Sequence, residues 1–321
     1  MDVIRYTTSA EGLSPCVATI GFFDGVHRGH QYLVRQVVET AWNRGIASTV
    51  ITFDRHPRQV VQPAFVPELL TTLNDKLSLL SQTGVDRVVV LPFDQEMAAL
   101  TAHEFMQQVL SRLQVQQLII GYDHRFGHRQ PTDLGREEGF DHYVACGREL
   151  GITVTRASEV SFLVEGHSVS SSLVRSYIKS GQMEQAHDCL SRPYSLTGHV
   201  VAGYQEGRKL GFPTANLSSD SVATLIPAPG VYAVEVQTGH DTTLWRGMMN
   251  IGTRPTFDGH RQTLEVHLFN FSGNLYGQPL TVAFHQRVRG EQRFSSPEAL
   301  AAQLRNDQQT IIELFQKEET P

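Results

Sequence analysis

The sequence predicts two consecutive folds, a parallel α/β domain over residues 1–183 and an antiparallel β-barrel with a closing C-terminal helix over residues 184–321. Three observations carry this. In the first half, apolar runs of strand length alternate with helical patterns, as in a parallel sheet covered on both faces. After about residue 185 the pattern changes to short alternating strands separated by Gly, Pro and Asn turns, which suits a barrel or sandwich. A length of 321 residues favours two domains at roughly 150 residues each.

The elements follow in order. CVATI (16–20) reads as a buried strand, followed by a turn and a helix over HQYLVRQVVETAWNRG, where Leu33, Val34, Val37, Val38 and Ala41 recur at helical spacing and Gly45 lies past the end. ASTVITF (47–53) and DRVVVLPF (86–93) are strands, HEFMQQVLSRLQV (103–115) a helix and QLIIGY (117–122) a strand. GREEGFDHYVACGRELG is a helix whose Arg136-Glu137-Glu138 run forms a solvated first turn, and ITVTRA (152–157) resembles a last parallel strand. The join is expected in 181–193. Beyond it, SRPYSLTGHVVAGYQ, GVYAVEVQTG, TLWRGMMNIG, TLEVHLFNF and LTVAFHQRVRG are strands, and a helix starts at Ser296-Pro297-Glu298.

Composition narrows the function class. The net charge of −6 argues against a broad nucleic-acid-binding face, although small basic clusters can still hold phosphate. Cys16, Cys146 and Cys189 are odd in number, far apart and lack a CxxC pair, which argues against a disulfide framework and suits a reducing compartment. No apolar run has the length of a signal peptide core or a membrane span. The expectation is a soluble cytoplasmic protein, with no nucleic acid or membrane as partner.

The first motif is GFFDGVHRGH (21–30), directly after the first strand and at the start of the first helix. Free N–H groups and the positive dipole end there favour phosphate, Gly21, Gly25 and Gly29 allow close backbone approach, and His27 and His30 can donate to phosphate oxygens. Two other readings remain at this level: a zinc pair, which needs further ligands, and a glycine-rich turn whose histidines cap the helix. The second motif is GRKLGFPTANL (207–217), where Gly207 and Gly211 flank Arg208 and Lys209. The Thr214 hydroxyl and Asn216 amide, two apart on an extended segment, are hard oxygen ligands suited to Mg²⁺ with phosphate; a hairpin with a basic tip is the alternative. In TLEVHLFNF, Glu265 and His267 share one strand face, and Glu265 could take the proton of an attacking alcohol or simply face solvent.

HRGH matches the HxGH signature of the nucleotidyltransferase superfamily, and the longer GFFDGVHRGH resembles the adenylyltransferase module of bacterial bifunctional riboflavin kinase/FAD synthetases. VSSSLVR (169–175), GYDHRFG (121–127) and TFDRHP (52–57) resemble further stretches of that module, with Ser172 in place of a usual threonine and His124 in place of a frequent Phe. PTAN, EVHLFNF, NIGTRPTF and VRGEQRF resemble the riboflavin kinase module, with Asn274 in place of a usual Asp.

The resemblance covers nearly the whole chain and implies a Rossmann-like α/β nucleotidyltransferase domain followed by a riboflavin kinase barrel. It implies two reactions: riboflavin and Mg·ATP give FMN, then FMN and ATP give FAD and pyrophosphate. His27, His30, Arg175 and Glu265 would be catalytic; Gly21, Phe22, Asp24, Gly25, Gly29, Ser171 and Ser172 would line ATP in the first site. Gly207, Lys209, Gly211, Thr214 and Asn216 would do so in the second, with Thr214 and Asn216 on Mg²⁺, and Phe53, Asp123, Phe126 and Arg289 would meet flavin. Two rivals are another HxGH nucleotidyltransferase with an unrelated barrel, and a flavin-binding protein without catalysis.

Overall fold

The computed structural model describes residues 1–7, 13–121, 126–127, 139–158, 160, 162–203, 206–239, 241, 243–256 and 259–318. The chain divides into two compact units, Met1–Leu163 and Val164–Pro321.

In the first unit, six strands form one parallel sheet: β1 (Asp2–Arg5), β2 (Cys16–Ile20), β3 (Ala47–Phe53), β4 (Arg87–Leu91), β5 (Val115–Ile120) and β6 (Thr153–Arg156), in the order β1-β4-β3-β2-β5-β6. The helices are α1 (Arg28–Arg44), α2 (Pro57–Val61), α3 (Leu73–Ser81), α4 (Gln95–Ala99), α5 (Ala102–Phe105) and α6 (Phe140–Leu150). Every residue of β2 and β4 is buried, because alternate side chains enter two different cores. Val17, Val50 and Val88 pack with Val34 and Val37 of α1 and Leu80 of α3. Ala18, Ile51 and Val89 pack with Phe105, Met106 and Tyr143.

The expected helix over 103–115 is shorter and irregular. After α5 it loosens into a π-helical stretch, Met106–Leu110, in which Ser111 N–H reaches back to the Met106 carbonyl at 2.9 Å, and Gln114 at φ 57° ends it. Residues 135–138 of the next expected helix lie outside the described residues. Strand β1 and helix α3 lack a long apolar period and were not expected.

The strand order reverses at β2. From there the chain steps through β3 and β4 in one direction and resumes at β5 on the other side. Open parallel sheets bind ligands beyond the carboxyl ends of the strands at such a switch point. The segments leaving β2 and β5 are the ones that carry GFFDGVHRGH and GYDHRFG.

A short hairpin, β7 (Leu163–Val164) and β8 (His167–Ser168), precedes helices α7 (Ser171–Ser180) and α8 (Met183–Leu190). The rest of the second unit is a closed antiparallel barrel of β9 (Tyr194–Val201), β10 (Ala215–Leu217), β11 (Gly230–Thr238), β12 (Leu244–Thr256), β13 (Gly259–Leu268) and β14 (Pro279–Arg289), in the order β10-β13-β12-β11-β14-β9. A short helix α9 (Glu206–Lys209) precedes β10, and α10 (Pro297–Glu318) closes the chain. Alternation sends Tyr232, Val234 and Val236 of β11 to one face, while Val231 and Ala233 join Met248, Phe269, Ile311 and Phe315 in an outer core beneath α10. Ser296 starts α10 as its motif implied, its hydroxyl accepting from Ala299 N–H at 3.2 Å.

Gly147 illustrates how tightly the first unit is packed. A Cβ there would lie 2.4 Å from the Ile152 carbonyl and 2.7 Å from Val154 Cγ2. Helix propensity alone gives Gly147→Ala up to about 1 kcal/mol of stabilisation, but a backbone oxygen at that distance must move. The expected net result is a loss of about 1–3 kcal/mol, read from the denaturant midpoint of the first unit.

Candidate active sites

The turn between β2 and α1 is strained. Phe23 and Val26 adopt positive φ of 55° and 41°, and Gly25 sits at 79° between them. Only glycine takes this region freely, and a β-branched residue there is a marked outlier. The turn is held by Asp24, 4% exposed, whose carboxylate accepts from Leu70 N–H at 3.0 Å, Thr71 N–H at 3.1 Å and the Thr71 hydroxyl at 3.2 Å. The same hydroxyl oxygen accepts from Gly25 N–H at 3.1 Å. Asp24, expected beside the ATP phosphates, is thus turned inward, because its oxygens fasten the turn to the segment before α3.

His27 is the N-cap of α1, with its Nδ1 accepting from His30 N–H at 3.4 Å. The two imidazoles stack with centroids 3.6 Å apart and planes 20° apart, and Phe23 meets His30 edge-on at 5.1 Å. His27 thus caps the helix as one of the readings of the motif has it, and the two imidazoles stack face to face. Gly29 lies in the first turn, and Gly21 N–H donates to the Ile51 carbonyl at 3.0 Å.

Phe53, expected at the flavin, is 8% exposed and packs edge-on against Phe93 in the core. The rings beyond β3 are instead Phe22, His56 and Phe65, with His56 4.8 Å from Phe22 and 5.3 Å from Phe65, and Arg58 4.3 Å from the Phe65 centroid. Phe126 is pinned by α6: the Tyr143 hydroxyl accepts from its N–H at 3.0 Å and donates to its carbonyl at 3.1 Å, and the rings stack at 4.4 Å. Asp123 and His124 lie outside the described residues. In the second unit, Ser170 caps α7, its hydroxyl accepting from Leu173 N–H at 3.2 Å, which puts Ser171 and Ser172 in the first turn and Arg175 in the next.

On the barrel, register assembles the second site. Asn216 of β10 lies directly opposite Glu265 of β13, which lies opposite Asn250 of β12. Directly opposed residues share a face, so this polar row crosses three strands. Sequence reasoning found Asn216 and Glu265 and gave Asn250 no role, since only pairing places it beside the carboxylate. A Cβ on Gly203 would lie 2.2 Å from the Asn216 amide nitrogen, so Gly203 leaves that side chain its space. Gly207 makes way for the Phe212 carbonyl in the same manner, at 2.3 Å, and Gly211 takes φ +84°. The Lys209 side chain lies outside the described residues.

His267, two residues on from Glu265, donates from Nδ1 to the Pro213 carbonyl at 2.7 Å and so tethers Pro213-Thr214 to β13. It is 8% exposed, and burial holds its pKa below the ordinary histidine value despite that hydrogen bond. A cleft of about 410 Å³ opens beside this segment, lined by Arg208, Thr214, Ala215, Phe271, Asn274 and Tyr276. Asn274 forms its wall as a turn residue, its Oδ1 accepting from Tyr276 N–H at 3.0 Å, a role an amide fills as well as a carboxylate. Arg289 pairs with the buried Asp307 of α10, Nε at 3.0 Å and Nη2 at 2.8 Å, and also donates to the Gly290 carbonyl. Its first commitment is thus to hold α10.

Comparison with known proteins agrees with both halves. The FAD synthetase family model matches residues 9–173 and the riboflavin kinase family model residues 190–315. The bifunctional riboflavin kinase/FMN adenylyltransferase of Escherichia coli K12 is 40% identical over 94% of this chain and 93% of its own. Those of Haemophilus influenzae and Bacillus subtilis are 35% and 31% identical, over 98% and 93% of this chain and 99% and 92% of theirs. A crystal structure described as a macrolide-efflux protein from Streptococcus pneumoniae superposes with a TM-score of 0.82 at 28% identity, over 97% of this chain and 99% of that one. That description concerns that protein; among the described residues here no helix is long and apolar enough to cross a membrane. With an FAD synthetase module followed by a riboflavin kinase module along its length, the chain belongs to the bifunctional riboflavin kinase/FMN adenylyltransferases.

Proposed function

We propose that FMN is adenylylated at the N-terminus of α1 and that riboflavin is phosphorylated on the outer barrel face around Glu265. What supports this most directly is the Asn216–Glu265–Asn250 row, which sets a carboxylate beside hard oxygen donors, with Thr214, two residues before Asn216, lining a cleft. In the kinase reaction, the Glu265 carboxylate accepts the proton of the riboflavin 5′-hydroxyl as that oxygen attacks the γ-phosphorus of ATP and ADP leaves. Thr214 and Asn216 would hold Mg²⁺: both offer hard oxygens, and Gly203 gives the Asn216 amide room to turn. When bound, Mg²⁺ neutralises charge on the transferring phosphates. Gly207, Lys209 and Gly211 would meet ATP as their motif implies, and Arg289, reached from Asn250 through Val231 in the strand register, would mark the flavin end of the row.

In the adenylyl transfer, an FMN phosphate oxygen attacks the α-phosphorus of ATP and the bond to pyrophosphate breaks. That nucleophile is already ionised, so the protein supplies position and charge stabilisation rather than a base. His27, His30 and the Gly29 amide would meet the phosphates, and the VSSSLVR motif assigns Ser171, Ser172 and Arg175 to the same anion. Phe22, His56 and Phe65 offer rings to the isoalloxazine, with Asp123 and Phe126 beyond β5. Both reactions run in the cytoplasm on small molecules, with no nucleic acid or membrane as partner; the three buried cysteines support a reducing setting.

Purified protein given riboflavin and Mg·ATP should yield FMN and FAD on chromatography, and absence of both would sink the assignment. Glu265→Ala should lower FMN formation by about 10²–10⁴-fold while supplied FMN still becomes FAD. His30→Ala should stop the sequence at FMN, with FAD formation down by about 10²–10³-fold; loss of both activities in either folded variant would count against separate sites.

His267 gives a pH expectation. Its folded pKa is depressed, so the unfolded chain binds a proton first as pH falls below about 6.5. Stability of the second unit should therefore be present above that pH and decline below it. The midpoint of thermal unfolding at pH 7.5 and pH 5.5 tests this, and His267→Leu should reduce the difference.

A further inference from the structure

Beneath the GFFDGVHRGH turn lies a lysine that neither reaction uses. Lys76 of α3 is 3% exposed. Its ammonium donates to the carbonyl oxygens of Phe22 at 2.9 Å and Phe53 at 3.2 Å and to the Thr52 hydroxyl at 3.0 Å, which satisfies its three N–H groups. The Phe22 ring lies over it, 4.2 Å from ring centroid to Nζ.

Phe22 follows β2 and Phe53 ends β3, two adjacent strands of the sheet. One ammonium therefore bridges the point where the chain departs toward His27 and His30 and the point where it departs toward His56. The segment leading into α3 grips the same turn a second time, through Asp24 and Thr71. Packing alone does not call for a lysine here. The position falls among Leu73, Leu77 and Leu80, which pack into the core on this side of the sheet, and an apolar side chain would spare the penalty of burying a charge.

We propose that Lys76 is a positioning residue for FMN adenylylation, its ammonium fixing the carboxyl ends of β2 and β3 so that the His27–His30 turn and the loop through His56 meet the two substrates at a set separation. The inference rests on the reading of that turn as the adenylyl-transfer site. Asp24 and Asp54 are the charged groups that face Lys76 from the β2 and β3 sides; Asp54 is also paired with Arg55, and His56 touches the Phe22 ring. Burial pulls the lysine down to about 8 against the pull of both carboxylates. Its charge, and with it the third donor, is thus lost in mildly alkaline solution.

The test compares wild type, Lys76→Met and His30→Ala for FAD formation from supplied FMN and for FMN formation from riboflavin. Lys76→Met is expected to lose about 100-fold in kcat for FAD, the scale of a misplacement of about 1 Å, with KM for ATP and FMN changed by less than about threefold. FMN formation in the same samples should be unchanged. Wild-type kcat for FAD should fall as pH rises past about 8, and the variant should lack that limb. A Lys76→Met kcat within about twofold of wild type overturns the proposal. Should the variant fail to fold, a wild-type FAD rate that stays level from pH 7 to about 9.5 overturns it, and a fall absent from FMN formation supports it. If His30→Ala keeps full FAD formation, the site itself is misassigned; if His30→Ala is dead and Lys76→Met is active, only the role of Lys76 fails.

Discussion

The first unit depends on one buried carboxylate. Holding Phe23 and Val26 at positive φ costs about 1–3 kcal/mol each, which the burial of both side chains in the core and the carboxylate of Asp24 together offset. Asp24 accepts two backbone N–H groups and a hydroxyl from Leu70 and Thr71 in the interior. Charge-assisted bonds of this kind are among the stronger ones a protein makes. The consequence runs upward through the structure: the tightened turn places His27 as the cap of α1, and the cap stacks His30 against it. The strain is local to the start of α1.

The barrel reaches its site by a different physical route. No strained turn orients Glu265; strand register does, because Asn216, Glu265 and Asn250 are opposite one another on neighbouring strands. What needs fixing is the short strand β10, only three residues long. His267 supplies that by holding the Pro213 carbonyl, and burial holds its pKa below the ordinary histidine value.

How much of this the sequence reveals follows from the range of the interactions. Both fold types are legible because two-sided burial writes continuous apolar runs and one-sided burial writes alternation. Residues named by motif, such as His27, Thr214 and Glu265, are also legible. The rest depends on partners distant in sequence. The inward direction of Asp24 is decided by Leu70 and Thr71, and Asn250 becomes part of a row only through pairing. Phe53 looks like a flavin contact beside His56 but alternation sends it into the core. Lys76 left one trace, a charge among Leu73, Leu77 and Leu80, and the meaning of that trace required the carbonyls it meets.

The difference between the two sites matches the difference between the two nucleophiles. An alcohol must lose its proton to attack phosphorus, and the proposed kinase site has a strand carboxylate at hand, with neighbouring amides Asn216 and Asn250 that carry no competing charge. A phosphate monoester is already an anion at neutral pH, and so is the triphosphate it attacks. A carboxylate facing them would repel both substrates, and the only acid within GFFDGVHRGH is the one folded inward onto Leu70 and Thr71. What remains on the outer side of that turn is imidazole, backbone N–H and the positive end of α1. With the adenylyl transfer assigned to this turn as proposed, the same Asp24 that holds the strained backbone is kept off the face where its charge would oppose catalysis, so one side-chain orientation serves both the fold and the proposed chemistry.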